Sequence, residues 1–329
     1  MAIYMLQSSL NEPLSLKTDQ FFDDVINGLR SNPKRLNSKY FYDAIGDKLF
    51  QDLMNCEEYY PTKCELEIFS TKTADICKAI IADGSPFDLI ELGAGDAMKS
   101  SYLLQHLLNQ KADFTYTPID ISDNVISYLN ITLPVTLPGI KINGLNGEYF
   151  DMLEKAATTS DRRKVILFLG SNIGNMPVAD AINFSKELRK HLNEGDMALI
   201  GFDLKKNPAT VLAAYNDKGG ITRRFNLNLL ERINRELAGN FYLTKFEHYP
   251  TYDPETGACK SYLISQEDQI VTIGDKHIHF QKDEYIFMEI SQKFTVLQTG
   301  QMAEKAGFKP LELFFDSKNW FLDAIWVAE

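Results

Sequence analysis

The sequence predicts an α/β fold, a doubly wound parallel sheet joined to a second α+β domain. Three observations carry that prediction. From residue 87 to 202 short apolar runs alternate with helical stretches, the rhythm of βαβ units. The first of these runs ends in a Gly-x-Gly turn. Before and after this region the rhythm changes, to a helical lead at the start and to closely spaced strands beyond about residue 205.

In the lead, Phe21, Phe22, Val25, Ile26 and Leu29 recur at helical spacing, so 16–30 reads as a helix. Ser31-Asn-Pro-Lys34 breaks it. Residues 46–56 and 62–82 read as two further helices. Glu58-Tyr-Tyr-Pro-Thr62 separates them as a loop, because a residue before proline avoids helix. Strands follow at 87–92, 114–119, 140–142 (weak), 165–170 and 197–202, with helices at 97–110, 122–130, 149–157 and 178–193. The fully apolar strands suit a sheet covered on both faces. Beyond 205 come a helix at 222–238 and antiparallel strands at 241–248, 261–265, 269–273 and 277–280, the last two joined at Gly274-Asp275. A helix at 293–306 and strands at 311–315 and 320–328 close the chain. The lead and the late insertion are read as one second domain.

Composition narrows the function. Of 329 residues, 44% are hydrophobic and 24% charged, enough for a large core. A net charge of −11 argues against a nucleic-acid partner, since phosphate binding calls for a basic face. The short runs Lys34–Arg35, Arg162–Lys164 and Lys205–Lys206 read as solvated surface. Four cysteines lack metal-like spacing and read as reduced structural thiols, so no metal is expected. No secretory signal and no apolar run of membrane length is evident, and the cytoplasm is the default expectation. Oligomeric state leaves no trace, and a monomer is the default.

The sharpest local signal is Asp88-Leu-Ile-Glu-Leu-Gly-Ala-Gly-Asp96, where a strand meets a helix. Gly93 and Gly95 let backbone approach a ligand, although the third glycine of a pyrophosphate fingerprint is missing. Asp120 ends the second strand, where a carboxylate can accept both hydroxyls of a ribose; it could equally cap the next helix. Glu148, after the third strand, is placed to meet an adenine amino group, or to be a solvated first-turn acid.

Several strings together resemble one family, the histidine-specific Nα-methyltransferases of ergothioneine biosynthesis. They are Tyr40-Phe-Tyr-Asp-Ala-Ile-Gly46, Glu58-Tyr-Tyr-Pro-Thr-Lys63, Glu91-Leu-Gly-Ala-Gly95, Pro118-Ile-Asp-Ile-Ser122, Phe168-Leu-Gly-Ser-Asn-Ile-Gly-Asn175, Gly201-Phe-Asp-Leu-Lys205, Ala214-Tyr-Asn-Asp217, Phe225-Asn-Leu-Asn228 and Met288-Glu-Ile-Ser291. The resemblance implies a Rossmann-like class I methyltransferase domain at 64–205 and 293–329, and a substrate-binding domain at 1–63 and 206–292. It implies S-adenosyl-L-methionine as cofactor, held by Gly93, Lys99, Asp120, Glu148 and Tyr149. For the substrate it implies Asn175 and Tyr215 on the carboxylate, Tyr59 beside the amino group, Glu289 and Ser291 on the imidazole, and Tyr42 nearby. These chemistries are apt: amide and phenol are donors, and residues two apart on a strand share a face.

The chain departs from the family pattern at two places. Glu148-Tyr149 stands where the family usually has Asp-Phe, and Lys260-Ser261 where it tends to have Glu-Met. A smaller residue at 261 leaves room, so another amino acid or an aromatic amine such as a tryptophan derivative is the alternative substrate. Methyl transfer from a sulfonium is an in-line displacement that needs chiefly a neutral, well-aimed amine. Tyr59 is expected to orient that amine rather than to act as a strong base.

Overall fold

The computed structural model describes residues 14–329, which fall into two compact units. The larger comprises 54–217, 251–259 and 290–329; the smaller comprises residues up to Leu53, 218–250 and 260–289. The unit boundaries thus differ from those at 63/64, 205/206 and 292/293 read from the sequence. Helix Tyr60–Ile80 belongs wholly with the sheet, because Ile68, Phe69, Ile76 and Ile80 enter the core around Leu89, Leu199 and Ile325. Helix Pro208–Ala214 follows it, burying Ala214 in the same core. Residues 251–259 return to the larger unit at Gly257, whose carbonyl accepts from the Lys293 N–H (2.8 Å).

The larger unit is built on a seven-stranded sheet in the order Phe308–Phe315, Phe321–Ala328, Met197–Asp203, Arg163–Phe168, Phe87–Leu92, Phe114–Asp120, Leu145–Asn146. The five strands between Phe87 and Asp203 run parallel, and the two C-terminal strands are antiparallel. Leu89 and Leu199 enter one apolar cluster, while their neighbours Ile90 and Ile200 enter the other. Covering on both faces is why these strands read as continuous apolar runs. Strand order reverses at Phe87–Leu92. The carboxyl ends of the strands beside such a reversal are where open α/β sheets bind ligands.

Several elements differ from the sequence reading: helix Tyr60–Ile80 starts inside the expected loop Glu58–Thr62, helix Pro208–Ala214 lies where no element was read, and the strand read at 241–248 is Phe246–Tyr252. The third ladder strand is Leu145–Asn146, and Ile142 makes only a lone bridge to Tyr116. The helix expected to end at 130 runs to Thr136 and contains Pro134, because Leu129 and Leu133, four apart, are both buried against the sheet. Burial here outweighs the proline's helix-breaking tendency.

Gly201, in strand Met197–Asp203, lies under the Glu65 carboxylate. A Cβ there would overlap Oε1 of Glu65 and come 3.1 Å from the Phe321 ring. Gly201→Ala is expected to cost about 1–3 kcal/mol by overpacking. Urea denaturation reads this directly, and an unchanged midpoint would refute it.

In the smaller unit, helix Leu14–Arg30 packs Phe21, Val25, Ile26 and Leu29 with Phe225, Leu229, Leu230 and Ile233 of helix Ile221–Glu236. Gln269–Ile273 and Lys276–Phe280 form a hairpin that turns at Gly274 (φ 55°). A four-stranded sheet orders Lys34–Arg35, Tyr285–Gln292, Ala258–Ser265 and Phe246–Tyr252. Among the described residues no helix is long and apolar enough to cross a membrane.

Candidate active site

Strand Phe87–Leu92 is buried throughout and gives way to Gly93 (φ 73°), whose N–H donates to the Ile119 carbonyl (2.8 Å). A Cβ on Gly93 would lie 2.7 Å from the Tyr149 hydroxyl and 3.0 Å from the Asn172 side-chain nitrogen. Both the backbone angle and the space therefore call for glycine. The Gly95 N–H donates to Oδ2 of Asp120 (3.2 Å), and the Ser122 N–H to Oδ1 (2.9 Å). Burial raises the Asp120 pKa, and these backbone donors oppose the rise. The helix cap is Ser122, whose side chain accepts from the Val125 N–H, so Asp120 is not the capping residue. Gly147 (φ 151°) donates its N–H to the Asp120 carbonyl (3.1 Å) and leads into exposed Glu148 and half-buried Tyr149, which starts helix Tyr149–Ala157. The Tyr149 ring lies edge-on to Phe168 (5.8 Å). Gly93, Asp120, Glu148 and Tyr149 thus cluster at the strand ends. A turn without Cβ beside a carboxylate held by backbone donors fits a ribose-bearing ligand.

Lys99 stands just before helix Ser100–Asn109 and forms an ion pair with fully buried Glu65. The same Glu65 accepts from the Gly170 N–H through both oxygens (2.7 and 2.9 Å). Asp323 lies beside this pair, and burial together with Glu65 pushes its pKa well above the usual carboxylate range. Glu65 and Asp323 carried no sequence signal, because both look like ordinary surface acids until the fold closes over them.

Glu91 is fully buried and accepts from the Tyr116 hydroxyl (2.6 Å). Burial raises its pKa from 4.5 to about 7. The native state therefore holds this proton more tightly than the unfolded chain does. The resulting stabilisation is complete below the unfolded value and is lost as pH rises to about 7. Between pH 5 and 8 this amounts to about 2–3 kcal/mol. Glu91→Gln is expected to flatten the fall in urea stability over that range by this amount. An identical slope in variant and wild type would count against it.

The substrate residues expected from the sequence divide between the units. Tyr42 (exposed) and Glu289 (half-buried) belong to the smaller; Tyr59, Asn175, Tyr215 and Ser291 belong to the larger. Glu289 and Ser291 lie on one face of strand Tyr285–Gln292, whose burial alternates along its length. Within the larger unit the Tyr215 hydroxyl and Ser291 Oγ are 2.7 Å apart, and the Tyr59 ring lies edge-on to Tyr215 (6.0 Å). Asn175 ends the short 3-10 turn Asn172–Asn175. Gly174 before it packs on the Gln292 backbone, next to Ser291: a Cβ would lie 2.7 Å from the Gln292 carbonyl oxygen. In the smaller unit, Ser261 is buried; its hydroxyl donates to Asn226 Oδ1 (2.9 Å) and pairs with His248 Nε2 (2.8 Å).

A buried polar network in the larger unit was not anticipated. Lys293 donates to Tyr215 and Ser291 (2.7 Å each) and pairs with Asp203 (2.7 Å). Asp203 also accepts from the Tyr60 hydroxyl (2.8 and 3.0 Å) and pairs with Lys206. Its own N–H donates to Ser171 Oγ (3.0 Å), which ties the network to the loop that leads to Asn175. Lys206 is therefore not solvated surface, since its side chain is 5% exposed. The same holds for Lys164, at 3%, which donates to the Ser160 carbonyl (2.7 Å) and pairs with Asp88 (3.3 Å). The period of two from Glu289 through Ser291 to Lys293 was the available signal.

A family profile described as histidine-specific methyltransferase, SAM-dependent, matches residues 21–328. The histidine N-alpha-methyltransferase of Mycobacterium tuberculosis is 32% identical over 91% of this chain and 92% of its own length. That of Mycolicibacterium smegmatis is 34% identical over the same shares. An L-tryptophan methyltransferase of Psilocybe serbica is 28% identical over 89% of each chain. With the turn from Gly93 to Gly95 bonded to Asp120 in a doubly wound sheet, these matches identify an S-adenosylmethionine-dependent N-methyltransferase of an amino acid or aromatic amine, and the chain belongs to the histidine-specific, SAM-dependent methyltransferase family.

Proposed function

We propose that the protein methylates the α-amino nitrogen of L-histidine, up to the trimethylated betaine, as a cytoplasmic monomer. The observation that carries this is the strand Tyr285–Gln292, which presents Glu289 and Ser291 on one face and sets Ser291 against Tyr215. A carboxylate and a hydroxyl two residues apart suit the N–H groups of an imidazole. Asn175 and Tyr215 offer donors to the substrate carboxylate. Tyr59, on the edge of the Tyr215 ring, orients the amine, directly or through water. Gly93, Lys99, Asp120, Glu148 and Tyr149 hold S-adenosylmethionine, which supplies a methyl group activated by a positive sulfonium. The nearby positive charge lowers the amine's pKa, so that its lone pair is available.

Ser261 supports a second reading, another amino acid or an aromatic amine such as a tryptophan derivative. Its small side chain is buried against Asn226 and His248, where the family pattern tends to have a methionine. One experiment separates the two. The pure protein is incubated with S-adenosylmethionine and the twenty amino acids, and products heavier by one, two or three methyl groups are sought by mass spectrometry. Methylated histidine is expected; methylation of tryptophan alone would replace the first reading with the second.

A further inference from the structure

Lys293 is 0% exposed, and its ammonium has three N–H donors. All three are engaged at 2.7 Å, by Tyr215, Ser291 and Asp203. The ammonium occupies a lone pair on each hydroxyl, so the hydroxyl hydrogens point away from it. The two hydroxyls carry two hydrogens, and one of these lies in the 2.7 Å bond between them. The pair is thereby fixed as a polarised donor, with a buried positive charge directly behind it.

Beneath the pair, Lys293 and Lys206 both reach the carboxylate of Asp203. Lys206 spends further donors on Tyr60 (2.9 Å) and the Leu204 carbonyl (2.6 Å), both neutral. Burial outweighs Asp203 in setting the Lys206 pKa, which falls below the usual lysine value. The two buried ammonium groups share this carboxylate in their ion pairs, and an anion close by would lower the cost of burying them further.

We infer that Lys293 is a positioning residue that strengthens the hold on a substrate carboxylate, acting through the Tyr215 hydroxyl. The inference rests on placing Tyr215 on that carboxylate, and it deepens that reading by naming the residue that stands behind the contact. A neutral acceptor in the same place gains the hydrogen bond and forgoes most of the attraction to the ammonium.

Calorimetry on the full chain, saturated with S-adenosylhomocysteine, tests this with histidine, histidinamide and histamine as probes. Wild type is expected to bind histidine at least about 30-fold more tightly than histidinamide or histamine, the worth of a charge-assisted hydrogen bond. Lys293→Met keeps the Asp203–Lys206 pair. It is expected to bring histidine down to the affinity of its amide and to leave S-adenosylhomocysteine binding within threefold. Lys293→Arg, which restores a cation, is expected to recover most of the preference. Equal wild-type affinity for acid and amide overturns the inference and needs no variant that folds. So does a folded Lys293→Met protein that keeps the preference. If tryptophan is the methylated substrate, tryptophan, its amide and tryptamine take the same places. A protein that methylates no amino acid at all overturns the site assignment itself, and this inference with it.

Discussion

Asp120→Asn is expected to weaken S-adenosylhomocysteine binding by about two orders of magnitude while the fold survives. The carboxylate sits at the end of its strand with one backbone donor on each oxygen. Each oxygen keeps a further lone pair, and two ribose hydroxyls would fill them. A hydrogen bond to a charged acceptor is worth about 1.5–3 kcal/mol. Replacing one oxygen by an NH₂ group reverses one of the two ribose contacts, sets that NH₂ against one of the two backbone donors, and removes the charge from the other ribose contact. The fold is spared because burial disfavours this charge, as its raised pKa records. Helix Asp123–Thr136 is also capped by Ser122, so its start does not depend on Asp120. Calorimetric titration with S-adenosylhomocysteine measures the loss, and circular dichroism melting checks the fold. A dissociation constant within threefold of wild type would remove Asp120 from the cofactor site.

The parts of this molecule that were legible in the sequence are those governed by local rules. The buried strands announced themselves as apolar runs, and the turn at Gly93 by its missing side chains. Gly274-Asp275 marked its hairpin by the same logic. Strand Leu145–Asn146 was misplaced because two ladder residues are too few to carry a periodic pattern. The unit boundaries were displaced because membership depends on long-range burial: Ala214 joins the core of a sheet whose strand Phe87–Leu92 lies far from it in sequence. The buried charges were hardest to see. Lys206 and Lys293 have the composition of surface lysines, and only the convergence on Asp203 of Tyr60, from a distant helix, makes them internal. The matched strings nevertheless contained Tyr60 and Asp203, and Lys293 stands one strand period after Ser291.

Asn175→Asp is the second substitution expected to have a large effect, and its sign follows from charge alone. The side chains are nearly isosteric, so the turn Asn172–Asn175 and the packing of Gly174 on Gln292 have no steric reason to change. What changes is that an amide donor becomes a carboxylate facing the carboxylate proposed to bind there. Two such charges about 4 Å apart repel by about 1 kcal/mol in water and about 4 kcal/mol near a protein surface. Asn175 is exposed, so the repulsion falls between these limits. The lost hydrogen bond adds about 1 kcal/mol. Together they predict that KM for the amino acid rises by about 100-fold, while affinity for S-adenosylhomocysteine stays within threefold. Histamine, which carries no acid group, should be affected far less, and that contrast separates the charge effect from general damage to the loop. Steady-state kinetics on the acid, with histamine as competitor, gives both numbers. If KM is unchanged, Asn175 does not face the acid group, and the carboxylate must be held by Tyr215 with the Lys293 charge behind it.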